Sequence, residues 1–212
     1  MALSDLITSL RILANDTPTS NTIRQETPQG VLDGTNVNFR LQNFPLVVGS
    51  VYVTAGSTFR GQAGFTVDAP NGIITFGTAP LSTTKPWECD YNFQWFTDAE
   101  HTEFLGDGAE LLGYTKSDPT TVPAGLITPM LKYALAAFWM RRSSQYAHRF
   151  ASSGGQVGHS VDVVTKAFKA LADQATKDGD NFRDAYWNRQ GRKNAPASGT
   201  GSYSIDPGSP IR

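Results

Sequence analysis

Cysteine is nearly absent from this chain of 212 residues: Cys89 is the single one. An internal disulfide and any cysteine-built zinc site are therefore excluded. Charge of one sign is lacking too. Eighteen Lys and Arg against nineteen Asp and Glu leave a formal net charge of -1, too balanced for a protein that coats nucleic acid generally. Histidine is scarce, and His101, His148 and His159 are scattered outside any H-x-x-x-H or H-E-x-x-H arrangement, so ordinary polar roles are expected and no metal site. Long hydrophobic runs are missing. The most apolar helix, around Leu126 to Met140, is interrupted by Lys132 and Tyr133 and is too short to span a bilayer. The start, Met-Ala-Leu-Ser-Asp, has neither a basic leader nor an apolar run, so no secretory peptide is expected there. Together these point to a soluble chain made in a reducing compartment, without a membrane partner.

Chemical signatures are equally thin. No paired-carboxylate, triad or Gly-x-Ser-x-Gly pattern occurs. Gly154-Gly-Gln-Val-Gly-His-Ser160 is glycine-rich and precedes a helix, but it lacks the Gly-Lys-Ser/Thr ending and follows a helix instead of a strand. It reads as an interhelical turn. The expectation is a protein that is not an enzyme and carries no cofactor.

What is present is a change of periodicity. Trp87, Cys89, Tyr91, Phe93 and Trp95 alternate with Glu88, Asp90, Asn92 and Gln94, the period of a strand with one buried face. The aromatics on that face are expected in a sheet core, with Cys89 as an inert buried thiol among them. Thr97 and Glu100 then have capping-box spacing, so a helix is predicted to follow directly. Upstream, Leu3, Leu6, Ile7, Leu10 and Leu13 recur at helical spacing, and residues 15 to 29 read as a polar connector. Strands are predicted around Val37–Leu41, Val51–Val53, Phe65–Val67 and Ile73–Phe76, with turns at Asp33-Gly34 and Pro70-Asn-Gly72. With the long strand 87–95 these make five.

Downstream, Phe104, Leu105, Ala109 and Leu112 form an apolar stripe ended by Gly113. A long helix runs from Leu126 to about Phe150. A last helix begins near Ser160, with Val161, Val164, Phe168, Leu171 and Ala175 as its packing seam. From Gly191 onward the composition is too poor in apolar side chains to fold unaided. The fold class is therefore α+β: a helical bundle of about four helices (1–29 and 97–190), an inserted small antiparallel β-module of sandwich or barrel type (30–96), and a flexible C-terminal tail (191–212).

Two groups of residues are candidates for contact with partners. Acidic Asp98, Glu100, Glu103, Asp107 and Glu110 and basic Arg141, Arg142 and Arg149 are segregated along the chain. They are either solvated faces or complementary faces between neighbouring copies. Phe182, Arg183, Tyr186, Trp187, Arg189, Arg192 and Lys193 form an aromatic and basic helix end leading into the tail, suited to partner docking or to simple packing.

Asp33-Gly-Thr-Asn-Val-Asn-Phe39-Arg-Leu41, Pro45, Val51-Tyr-Val53, Phe65-Thr-Val-Asp68, Asn71-Gly-Ile-Ile-Thr-Phe76, Ala79-Pro80 and Asp90-Tyr91 resemble a β-module common in tailed-bacteriophage virion proteins. Phe96-Thr-Asp-Ala-Glu100, Leu105 and Leu111-Leu-Gly113, followed by a long Ala-rich helix and another helix, are similar to head–tail adaptor (connector, neck) proteins. The likeness covers residues 1–190 in layout and about 30–115 in motif. It implies a structural virion protein at the head–tail interface, assembled in the host cytoplasm. In that family a twelve-fold ring of identical copies joins the portal to tail or neck proteins and lets DNA pass without sequence recognition. An alternative is a tail-associated protein whose β-module binds a carbohydrate or receptor, which requires Trp87 and Trp95 to be accessible.

Overall fold

A computed structural model describes residues 1–55, 58–61, 64–80, 87–151 and 158–190. The tail expected at 191–212 and the glycine-rich turn expected at 154–160 lie wholly or largely outside these residues. The described residues make a mixed α+β protein with four α-helices and seven strands in two antiparallel sheets. Contacts divide the chain into a helical unit, Met1–Leu10 with everything from Ala99 on, and a β unit, Arg11–Asp98.

In the β unit, β1 (Thr22–Glu26), β7 (Trp87–Asn92), β3 (Tyr52–Ala55) and β4 (Thr58–Gly61) form one sheet in that order. The second sheet has the order β2 (Asn38–Arg40), β6 (Ile73–Phe76), β5 (Phe65–Asp68). Two strands were not expected. β1 lies in the stretch read as a connector; apart from Ile23, which packs against the β core, its residues are polar, so it carries no period-two signal and is held by pairing with β7. Residues 11–29 consequently belong with the sheets and not with the helices. β4 pairs with β3.

The core between the sheets follows from alternation. Trp87, Cys89 and Tyr91 of β7 are buried while Asp90 between them is exposed. The Trp87 indole meets Phe39 and Phe76 edge-on, at centroid distances of 4.6 and 4.9 Å. Leu41, Val53 and Ile74 complete this interior. Burial pushes the Cys89 thiol up to about 12, with the carboxylates of Glu26 and Asp90 adding to the effect. Iodoacetamide at pH 8 should therefore leave the native protein unmodified and label one thiol after unfolding; labelling of the native chain would contradict this packing.

Both expected turns form. Gly72, at φ 66°, closes the β5–β6 hairpin, and Asn71 Nδ2 donates to Asp68 Oδ2 at 2.8 Å. The Asp33 carboxylate accepts the Asn36 and Thr35 amides at 2.7 and 2.8 Å, and these bonds lower its pKa to about 2. Because this pKa is depressed in the fold, the charged form supports the turn above the unfolded value of about 3.9. That support fades as the pH falls from there through about 2. A carboxyl NMR titration of Asp33 is expected to show a midpoint near 2, not near 4.

The helical unit contains α2 (Asp98–Glu110, from its second residue), α3 (Ile127–Ala151) and α4 (Gly158–Arg189), with the start of α1 (Leu3–Ala14). The α2 terminus is a Schellman cap: Gly113 has φ 81°, the Tyr114 amide reaches the Ala109 carbonyl and the Gly113 amide reaches Glu110. α1 ends in the same way with Asn15 at φ 53° in place of glycine.

Glycine sets the approach of α2 to α3. A Cβ on Gly108 would lie 2.5 Å from the Met130 carbonyl oxygen and 3.1 Å from the Ala134 nitrogen, both backbone atoms. Gly108→Ala is thus expected to destabilise the protein by about 1–3 kcal/mol, outweighing the roughly 1 kcal/mol gained in helix propensity. Thermal unfolding of the variant checks this; an unchanged melting point would mean the helices separate at no cost.

The seam expected on α4 holds in part. Ala175 is buried and Val164 and Phe168 are half-buried, but Leu171 is 46% exposed, and the buried line runs through Ala172, Gly179 and Arg183. Small residues win because α3 comes close: a Cβ on Gly179 would meet the Tyr133 ring at 2.8 Å.

Candidate docking surfaces

The acidic and basic residues expected to meet across a subunit boundary are largely engaged within the chain. Glu100 and Glu103 lie one turn apart on α2, and Arg141 of α3 reaches both: 2.9 Å to Glu103 and 3.4 Å to Glu100. Asp107 pairs with Lys116, whose pKa is raised chiefly by that hydrogen bond and further by Glu110 and Glu103. Asp98 belongs to the β unit and pairs with Arg11 at 2.7 Å. Arg142 is buried, its guanidinium 5.9 Å from the Phe168 ring centroid. The Arg149 side chain lies outside the described residues. Segregation along the sequence therefore does not mean segregation in space, because antiparallel helices bring distant segments together.

The end of α4 divides in two. Arg183, expected at a docking surface, is only 7% exposed. Its guanidinium holds Asp180 at 3.2 Å and Asp184 at 3.1 Å. Tyr133 donates to the same Asp180 oxygen at 2.7 Å. Burial, followed by this bond to a carboxylate, raises the Tyr133 pKa. Lys132 and Gln174 hold Asp178, two residues before Asp180, and the Gln174 bond is the main cause of its lowered pKa. Tyr186 packs against Gly125, where a Cβ would stand 2.4 Å from its ring, and meets Trp187 edge-on at 5.0 Å. Phe182, by contrast, is 47% exposed, and Arg189 is exposed at the helix terminus. Arg192 and Lys193 lie outside the described residues.

The acids that neutralise Arg183 and Lys132 carry no distinguishing signal in the sequence, although Asp180 and Asp184 stand three and one residues from Arg183. Trp87 is buried and Trp95 half-buried against the same β core, so neither forms an open stacking platform. His101 is fully buried between the Phe104 and Phe138 rings. Among the described residues no cluster of three or more His, Cys, Asp or Glu could hold a metal ion, and no helix is long and apolar enough to cross a membrane.

These features define a mixed α+β protein whose helices enclose an inserted β unit in the order of the chain. Comparison with protein-family models, curated proteins and solved structures finds no match for it.

Proposed function

We propose that this chain is a structural virion protein of a tailed bacteriophage, a head–tail adaptor. Copies form a ring, twelve-fold by the resemblance, that joins the portal to tail or neck proteins and lets DNA pass. The observation that carries this is the layout: the chain leaves its helical unit after Leu10, builds a two-sheet unit, and returns at Ala99 to three further helices. That is the order of a helical bundle with an inserted β-module, and it accompanies the β-strand and turn motifs quoted above.

In this role each copy needs two different, complementary faces, so that heterologous contacts close by rotation. Of the candidate residues on α4, Phe182 and Arg189 are exposed and available for docking, with 191–212 as the docking tail. Weak single contacts become firm attachment when many copies engage together. Near-neutral charge suits a lumen that DNA must traverse without being gripped. The test is to purify the chain alone and with its portal and to image both by electron microscopy. A cyclic oligomer, free or seated on the portal, is expected; monomers alone in both samples would remove the proposal. Truncation after Gly191 should weaken docking while leaving the melting point unchanged.

A further inference from the structure

The outer face of the four-stranded sheet holds an open cleft of about 510 Å³, in the size range of small-molecule sites. Alternation along β7 that buries Trp87, Cys89 and Tyr91 turns Asp90 and Asn92 to this side. Register sets Tyr52 of β3 opposite Asp90, and Thr22 of β1 opposite Asn92. Beside them the loop before β3 is pinned to β7, because the Val47 amide donates to the Asn92 carbonyl at 2.9 Å and the Asn92 amide to Ser50 Oγ at 3.0 Å. The pinned loop forms a wall and carries Val48, which is 86% exposed.

The polar groups of this cleft are oriented before any ligand arrives. A bulge interrupts the β1–β7 register between Ile23 and Glu26, and Gln25 within it has φ 57°, a strained value for a side chain of that kind. The Gln25 amide donates to Asp90 Oδ1 at 2.8 Å, which fixes the carboxylate and leaves Oδ2 without a partner among the described residues. Thr22 Oγ1 donates to Asn92 Oδ1 at 2.9 Å, so the Asn92 amide is held with its Nδ2 as the remaining donor. Arg24, the other residue of the bulge, is exposed, and no carboxylate of the described residues lies within ion-pair distance. Tyr52 adds an aromatic surface, 44% exposed.

We propose that this cleft binds one or two units of a neutral saccharide. A sugar ring has an apolar C–H face and polar hydroxyl edges. The Tyr52 ring and Val48 match the first. Asp90 Oδ2 as acceptor, with Arg24 and Asn92 Nδ2 as donors, matches the second. One cation beside one anion selects against a phosphate or a polyanion, which Asp90 would repel. The bulge in β1 disfavours the other occupant of a sheet edge, an added peptide strand. This site is on the opposite face from the buried Trp87 and is independent of the ring role.

The test uses the full chain, labelled with 15N and titrated with maltotriose, triacetylchitotriose and lactose. With at least one of them, the amides of Arg24, Tyr52, Asp90 and Asn92 are expected to shift together in a saturable way. Tyr52→Ala and Arg24→Ala should each weaken that binding by about tenfold while the remaining amide spectrum stays unchanged. If none of the three sugars shifts these amides at millimolar concentration, or if both variants bind as the wild type does, the assignment is overturned. Ring assembly is read separately by microscopy, so failure here leaves that proposal standing.

Discussion

Arg11→Ala is expected to lower the free energy of unfolding by about 3–5 kcal/mol, the largest loss of any single ion-pair deletion among the described residues. Arg11 and Asp98 are the first and last residues of the β unit, and the guanidinium fastens its two ends. Its Nη1 donates to the Asp16 carbonyl at 3.0 Å and to Asp16 Oδ2 at 3.3 Å. Its Nη2 donates to the Phe96 carbonyl at 3.1 Å and to Asp98 at 2.7 Å. Asp16 is 0% exposed and also accepts the Trp95 and Phe96 amides at 2.6 and 3.3 Å. Removing Arg11 takes away the cation paired with that buried carboxylate, and the cost of keeping its charge out of water then dominates. The two carboxylates differ sharply as controls. Asp98 has a side chain 77% exposed, so Asp98→Ala should cost no more than about 1 kcal/mol. Asp16→Ala should approach the cost of losing Arg11. Urea unfolding of the three variants decides it: equal losses for the two aspartates would show that burial is not what sets the strength of this network.

Trp87→Ala is expected to cost about 3–5 kcal/mol as well, by a different route. The indole is 3% exposed between Phe39 and Phe76, so truncation leaves a cavity lined by two aromatic edges. Trp87→Phe keeps an aromatic there and should cost less than half as much. A loss below about 1 kcal/mol for the alanine variant would mean that the side chain is accessible, and would return Trp87 to the stacking role that its burial now denies it.

Local pattern carried much of this fold. The period-two run from Trp87 to Trp95 predicted which residues of β7 face inward, because a strand's alternation depends only on the chain itself. Asn71-Gly72 and Gly113 marked a hairpin and a helix end for the same reason: positive φ is a single-residue property. Helix spacing placed α1, α2 and α3 within a few residues of their bounds.

Where pattern failed, a second segment was involved. β1, polar but for Ile23, becomes a strand by pairing with β7. Leu171 drops out of the α4 seam, and Ala172 and Gly179 join Ala175 in it, because Tyr133 of α3 fills the space beside Gly179. Arg183 looks like a surface cation until Tyr133, Asp180 and Asp184 converge on one site. The cleft beside Tyr52 was illegible, since Arg24 sits in a stretch with no strand signal and meets Asp90 and Asn92 only through sheet register.

By itself, then, the sequence determined which residues make strands and helices of strong period, where the tightest turns fall, and that one thiol is hidden. The tertiary structure alone decided which charges are neutralised inside the chain and which polar groups gather on the outer face of the four-stranded sheet. Backbone propensity is set by near neighbours. The desolvation of a charge depends on which distant segment arrives beside it.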